Sequence, residues 1–478
     1  MNTKRIIIIA LMCIILGLTP APPVLGGTQG GDGAPPRYPQ SPQGLQQQAK
    51  DKAFVYEAPP QRDPYAQRNA LSLLSQADNY EVTLTFRDPN DELATNTYVH
   101  VIETSLSFNP TYLYREYTGE TGELSLNLPR GTYLLMIHRA YDAPTFLAYC
   151  YLSVTGDSEI IVDVGLFVLP VTMEAIKPLK GRDFSTDCDF RVRDSYTGWS
   201  WGFSGTLEPG KMLVYLPINA KFDAWYWDWE WNEDFGWDPL YLLYKPSVQA
   251  KGSNTKVQFD GSKTGFIHTE YVPPSIQPSA SYDTDLFFSF NGLWCYVYDD
   301  QAISTGSYPA EAYVGYYTIE GDIEHDSDYF FDMGKVTIAA KKTIPLHFGG
   351  NLVMTAKAKK ATYKPGEWLQ VEYLVKDQLK HTLIDAEKWD WDPIAEEWSR
   401  LQWNMTASIS DAGEVLRKDP WETRYVGGSE LFQLWIDSLA TSGSYTFTVT
   451  WDTEVYQGDL SGSAKVVIKS TSKIPTLE

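Results

Sequence analysis

The sequence predicts an all-β chain built as β-sandwiches in tandem, following a signal peptide and a flexible linker. Three observations carry this. The 478 residues include 31 Tyr and 16 Trp. Aromatic and β-branched residues come in short runs with Gly, Asp and Pro between them, and long Ala/Leu/Glu/Lys stretches are few. The segment from Gly122 to His138 reads strand, turn, strand: Leu124, Leu126 and Leu128 alternate with polar residues, Pro129 and Gly131 supply the turn, and Tyr133 opens a second apolar strand. Pro-Gly turns recur at Pro209-Gly210 and Pro365-Gly366, each leading into an apolar strand pattern.

Residues 1–26 read as a signal peptide. Lys4 and Arg5 form a positive start, Ile6 to Leu18 is an unbroken apolar run short for a membrane span, and Val24-Leu25-Gly26 offers a cleavage site. An uncleaved anchor is the other reading; both place the chain outside the cell or on its surface. No later segment has the long uncharged run of a membrane span. Residues 27–78 are a Pro/Gly/Gln-rich linker too poor in apolar residues to fold, except that Asp63 to Gln76 reads as a short helix capped by Asp63 with Pro64 at its first position.

Residues 79–166 alternate as strands. Val82, Leu84 and Phe86 are followed by a turn at Asp88-Pro89-Asn90-Asp91, a strand from Tyr98 to Ile102, the hairpin, and strands from Tyr149 to Val154 and Glu159 to Val164. The run Thr121-Gly122-Glu-Leu124-Ser-Leu126-Asn-Leu128-Pro129-Arg-Gly131-Thr-Tyr133, preceded by Asp88 and Leu93, resembles the carboxypeptidase regulatory-like (transthyretin-like) β-sandwich. The family's usual glycine in the first turn is replaced by Asn90 or Asp91, which tolerate the same left-handed backbone. That resemblance implies a fold and an extracellular accessory role without catalysis.

Residues 167–275 form a second β region, with strands at Phe190–Arg193, Gly205–Leu207, Met212–Leu216 and Tyr241–Tyr244. Pro273-Pro274 mark its end. Residues 276–350 form a third, with strands at Asp285–Phe290, Trp294–Tyr298, Glu311–Ile319 and Lys335–Ala339. In residues 351–470, Tyr363, Pro365, Gly366, Glu367, Asp411, Gly413, Gly443 and Tyr445 stand as in the macroglobulin-type immunoglobulin-like domain, which this region resembles. A Trp-rich acidic insertion, Asp385 to Trp403, departs from that compact pattern, and no thioester motif accompanies it. Residues 471–478 read as a frayed tail.

The formal net charge of -22 repels phosphate backbones, so nucleic acid is excluded as a partner, while cations and basic partners suit it. Behind the leader, Cys150, Cys188 and Cys295 are an odd set that allows at most one disulfide.

Candidate chemistry is sparse. Gly198-Trp-Ser200-Trp-Gly202 spells a nucleophile elbow, but no helical pattern follows it, so a hairpin is the better reading. The histidines are scattered without metal spacing. Glu324-His325-Asp326 with Asp328 reads either as a cation ligand set or as a solvated acidic loop. The most unusual feature is Trp225, Trp227, Trp229 and Trp231. In a strand these rings share one face, with Tyr226, Asp228 and Glu230 on the other. Exposed, they and Trp237 would stack on sugar rings; buried, they would roof a core. Trp389-Asp-Trp-Asp-Pro393 echoes Trp237-Asp-Pro239. No cofactor is expected; calcium is the cation such an acidic chain would hold, at Asp228, Glu230, Glu233, Asp234 and Asp238 or at Asp390 and Asp392, though none forms a regular calcium loop. Asn404-Met-Thr406 is a glycosylation sequon. The expected function is non-catalytic: cell-surface structure, adhesion or scaffolding, with surface proteins or glycans as partners. A carbohydrate-binding protein using Trp225–Trp231 is the alternative, and an extracellular hydrolase the second.

Overall fold

A computed structural model describes residues 79–469, apart from 105–110, 142, 196–197, 205–207, 233–235, 253–254, 276–280, 321–322, 393–396, 412–413, 424–428, 437–440 and 454–455. The signal-peptide and linker readings, the helix expected at Asp63–Gln76, the strand expected at Gly205–Leu207 and the tail lie outside the described residues.

The described chain is a succession of strands: β1 (Asn79–Arg87), β2 (Tyr98–Glu103), β3 (Thr111–Tyr117), β4 (Glu123–Pro129), β5 (Gly131–Arg139), β6 (Thr145–Val154), β7 (Ser158–Asp163), β8 (Val168–Ile176), β9 (Cys188–Asp194) and β10 (Ser200–Ser204). There follow β11 (Lys211–Pro217), β12 (Lys221–Asn232), β13 (Gly236–Gln249), β14 (Thr255–Asp260), β15 (Thr264–Val272), β16 (Ser281–Phe290), β17 (Leu293–Val297), β18 (Ala302–Ser304), β19 (Gly306–Glu320) and β20 (Ile323–Ile338). The last are β21 (Thr343–Gly349), β22 (Val353–Ala358), β23 (Thr362–Tyr363), β24 (Trp368–Lys376), β25 (Thr382–Asp392), β26 (Glu397–Arg400), β27 (Trp403–Asp411), β28 (Glu414–Thr423), β29 (Ser429–Trp435), β30 (Gly443–Asp452) and β31 (Asp459–Ile468). Among the described residues helical structure is confined to short 3-10 turns, one of them at Val164–Leu166. None of their helices is long and apolar enough to cross a membrane. The chain divides into two compact units, residues 1–265 with 301–304 and residues 266–300 with 305–478.

In the first unit a three-stranded sheet, β4-β1-β7, packs on a seven-stranded sheet, β14-β8-β11-β6-β5-β2-β3. Alternation places Val82, Leu84 and Phe86 of β1 and Leu124, Leu126 and Leu128 of β4 in one core with Val99, Val101, Leu135, Ile137 and Phe146. The turn after β1 closes as its sequence requires: Asp88 Oδ1 accepts from the Asn90 and Glu92 amides, and Asp91 is left-handed at φ 65°. Arg139 anchors Asp88 from β5 across a buried 3.2 Å ion pair.

The seven-stranded sheet also carries a second core on its opposite face. There His100 and His138 meet Trp201 and Phe203 of β10, and Phe259 of β14 meets Phe190 of β9 and Tyr226 of β12. The covering layer runs β10-β9-β12-β13-β18, followed by the first residues of β15. The strands of 167–275 thus continue the sheet of 79–166, through the parallel pairing of β11 with β6 at Val214 and Thr145. The pairing gives the β6 edge a partner in place of water.

In the second unit the path β17-β16-β19-β20-β25-β24-β22 forms a nine-stranded sheet together with β26 and β29. It faces a five-stranded sheet, β23-β31-β30-β27-β28. Tyr316, Tyr329, Trp403, Trp451 and Tyr456 fill the space between them, Trp403 and Trp451 meeting edge to face at 5.4 Å. The Tyr329 hydroxyl donates to the Thr453 carbonyl at 2.8 Å, so this aromatic core leaves that polar tip satisfied. The insertion 385–403 supplies most of β25 and all of β26, and β25 joins β20 to β24, so the sheet runs through the boundary expected at 350/351.

Candidate functional site

The tryptophan strand is β12, and it is central: β9 pairs on one side and β13 on the other. Trp225, Trp227 and Trp229 share one face and Tyr226 and Asp228 the other, as alternation requires. All five are buried. Trp225 lies against Tyr244 at 5.3 Å, and the Arg191 guanidinium sits 5.3 Å over the Trp227 ring. A sugar needs an open indole face, so the stacking platform expected from Trp225, Trp227 and Trp229 is corrected to packing. Trp231 and Trp237 are paired in backbone register on β12 and β13, and their side chains lie outside the described ones.

Of the calcium set expected at the same strand, Asp228 has a different role. Asp228 is fully enclosed, its two carboxylate oxygens 3.2 and 3.1 Å from the Ser185 amide, and it accepts from the Tyr226 hydroxyl at 2.8 Å. Burial pushes its pKa up to about 7 against those hydrogen bonds. It serves as an internal acceptor. Glu230 is exposed and Asp238 half-buried, directly opposite one another; Glu233 and Asp234 lie outside the described residues. Among the described residues, no group of three or more His, Cys, Asp or Glu is placed to hold a metal ion.

Ser200 opens β10, after a left-handed Gly198 at φ 74°, so the G-x-S-x-G segment is strand and turn, not an elbow. Its hydroxyl is buried without a hydrogen-bond partner among the described residues, while the next residue, Trp201, faces His138 at 4.9 Å and His100 at 5.5 Å. Those imidazoles serve the core. Burial drives His100 down to about 3 and His138 down to about 4, the latter despite a 3.0 Å hydrogen bond between Nε2 and the Gly202 carbonyl. Among the described residues Cys150, Cys188 and Cys295 are joined by no disulfide.

A candidate surface that sequence reasoning missed is the other face of the nine-stranded sheet, away from its aromatic core. Cross-strand register sets Asp283 of β16 beside Gly315 of β19, Gly315 beside Asp328 of β20, and Asp328 beside Glu387 of β25. One step along, Tyr317, Asp326 and Trp389 are neighbours, and Trp389 is opposite Arg400 of β26. Gly315 is required here: a Cβ would collide with the Tyr313 hydroxyl, which passes over it to donate to Asp328 Oδ1 at 2.6 Å. Burial first, then like charge from Asp328 and Asp283, raises the Asp326 pKa; burial raises that of Asp328 against the Tyr313 hydrogen bond. Glu387 is buried, raised by burial and held down by its ion pair with Arg400.

The Glu324–Asp328 segment is therefore strand and not a solvated loop. His325 turns away from Asp326 and pairs with Asp390 at 2.6 Å, so the expected cation set is divided between two faces. The signal was present in the sequence as period-two acidic and tyrosine spacing, Asp283-x-Asp285, Tyr313-x-Gly-x-Tyr317 and Asp326-x-Asp328. Two aromatic pairs, half-buried Trp391 with exposed Trp398 and exposed Trp368 with exposed Trp435, complete the sheet surfaces of this unit. Trp391 and Trp398 stand opposite on β25 and β26 at 5.6 Å, and Trp368 and Trp435 opposite on β24 and β29 at 5.3 Å.

No family model matches the chain, and no curated protein matches it. Among solved structures it is similar to a streptococcal ancillary pilin (9% identity, TM-score 0.16, 56% of this chain and 98% of that one). It is similar to the Escherichia coli α2-macroglobulin activated by porcine elastase (9%, TM-score 0.17, 79% of this chain and 41% of that one). A third likeness is to the N-terminal eight immunoglobulin domains of Down syndrome cell adhesion molecule (7%, TM-score 0.14, 83% and 50%). Values this low carry no argument about ligands or partners.

Proposed function

We propose that this chain is an exported, non-catalytic β-sandwich protein of the cell surface that acts by adhesion or by scaffolding other exported proteins. One observation carries the reading: Trp368 and Trp435 form a contiguous aromatic pair on an outward sheet face, 53% and 47% exposed. Scattered exposed apolar residues need no explanation, but a paired aromatic patch of this kind marks an interaction surface, and tryptophan is enriched among residues that dominate binding energy. The apolar run behind Lys4 and Arg5 and the Pro/Gly/Gln-rich stretch after it support export and a tethered display. The sequence resemblances, of residues 79–166 to the carboxypeptidase regulatory-like sandwich and of residues 351–470 to the macroglobulin-type domain, suit the same accessory role.

A glycan is the second reading, now moved from β12 to this pair. Gln370 and Gln433 stand opposite each other two residues along from the two indoles, and amides beside open rings suit sugar hydroxyls over a stacked sugar face. The test is retention of beads coated with the full chain on a panel of extracellular-matrix proteins, cells and glycans. The Trp368→Ala/Trp435→Ala variant should lose about tenfold or more in retention, the loss of one anchor residue's binding energy. Equal retention of the variant on every ligand that holds the parent protein would refute a role for this face. Binding confined to glycans would select the second reading.

A further inference from the structure

The hairpin β25–β26 already shows how this sheet face holds a cation. The Arg400 guanidinium sits 5.4 Å over the Trp389 ring and forms an ion pair with the buried Glu387. Trp391 and Trp398, two residues outward, repeat the aromatic half of that arrangement, tilted at 55° to each other. Trp398 is exposed at 37%. On the neighbouring strand Glu324 is exposed, and period-two alternation puts it on the side of Asp326 and Asp328. Five carboxyl groups, Asp283, Glu324, Asp326, Asp328 and Glu387, thus share the face with Arg400, on a chain of net charge -22.

We propose that this face docks a basic segment of a partner protein, with an arginine or lysine side chain seated against Trp391 and Trp398 as Arg400 is seated against Trp389. The inference rests on the binding role proposed above and names the chemistry of the partner. Charge complementarity selects the occupant: Arg400 is already paired with Glu387, Glu324 is exposed and uncovered by that pair, Asp283, Asp326 and Asp328 favour an added cation, and a flat cation over indole gains from the ring quadrupole. The groups facing Asp326 and Asp328 are Asp283 from β16, Tyr313 and Tyr317 from β19, and Glu387 with Arg400 from β25 and β26. Asp326 and Asp328 retain protons above the ordinary carboxylate range, so an incoming cation favours their ionised forms and docking releases protons.

The probe is an oligoarginine peptide added to the full chain, followed calorimetrically at pH 6 and pH 8 in buffers of different ionisation enthalpy. Binding should tighten with pH, and the measured heat should vary with the buffer. Trp398→Ala should weaken binding about tenfold, the scale of one desolvated cation–π contact. Trp398→Phe should recover most of it, which separates loss of the ring from loss of the hairpin. Asp326→Asn/Asp328→Asn should abolish the buffer dependence. The Trp368→Ala/Trp435→Ala variant, altered on another patch, should bind the peptide unchanged, so failure here and failure of the adhesion reading are read separately. Equal binding to the parent and to Trp398→Ala, as diffuse attraction to an acidic chain would give, overturns the proposal. So does binding of a neutral glycan in place of the peptide with the same sensitivity to Trp398→Ala.

Discussion

The smallest unit of construction in this protein is a glycine two residues before a tyrosine at the start of a strand. Gly131-Thr-Tyr133, Gly306-Ser-Tyr308 and Gly443-Ser-Tyr445 open β5, β19 and β30. In each, the ring lies back over the glycine, where a Cβ would stand 3.3, 2.5 and 3.1 Å from ring or hydroxyl atoms. In each, the hydroxyl donates to a carbonyl just upstream: Pro129 at 2.7 Å, Thr305 at 3.1 Å and Thr441 at 3.1 Å. The device fixes the entry of the strand and satisfies a carbonyl the sheet leaves over, as a tyrosine corner does. Tyr133 is buried, so Tyr133→Phe leaves the Pro129 carbonyl without that donor at nearly constant volume. The expected loss is about 1–2 kcal/mol in denaturant unfolding. A change below about 0.3 kcal/mol would show that the hydroxyl contributes nothing net.

Strand β12 shows what local sequence can reveal at the scale of an element. The alternation was legible, and so was the sharing of a face by the indoles. Their surroundings were not legible, because they depend on partners far along the chain. Asp228 reads as a wet residue between tryptophans, yet its oxygens are met by the amide of Ser185, 43 residues upstream. Arg191 on β9 covers Trp227. Two long-range neighbours thus make an amphipathic-looking strand a doubly buried one. The opposite error arose at Glu324–Asp328, where a dense acidic run looked like solvated loop although its carboxyl groups alternate along a long hairpin strand paired on both sides. The hairpin of β4 and β5 was legible because its turn and both faces are specified within a few residues. For Trp229, fully enclosed, Trp229→Ala is expected to cost about 3–5 kcal/mol, the range for deleting a buried large aromatic. An unfolding midpoint within error of the parent protein would restore the open-platform reading of β12.

For the whole molecule, the two compact units carry desolvated titratable groups of opposite kind, buried imidazoles in one and half-buried carboxyl groups in the other, and their stabilities should respond to pH in opposite directions. In the first unit His100 and His138 are neutral in the fold, with pKa values of about 3 and about 4, while in the unfolded chain they titrate near 6.5. Between those values the unfolded state binds more protons, so the unit loses stability as pH falls below about 6.5, by an amount on the order of a few kcal/mol once both imidazoles are forced to charge. In the second unit Asp326 and Asp328 have pKa values raised above the ordinary carboxylate value. There the folded state holds protons that the unfolded state has released, so their contribution is fully present below the unfolded carboxylate pKa. It is lost as pH rises through the folded values. Hydrogen exchange followed strand by strand on the full chain separates the two. Protection in β5 and β10 should fall on acidification from pH 7 to pH 4, and protection in β19 and β20 should fall on raising the pH from 6 to 9. Asp326→Asn/Asp328→Asn should flatten the second response and leave the first untouched. Parallel loss of protection in both units at either extreme would mean that net charge, and not these desolvated groups, governs the pH response.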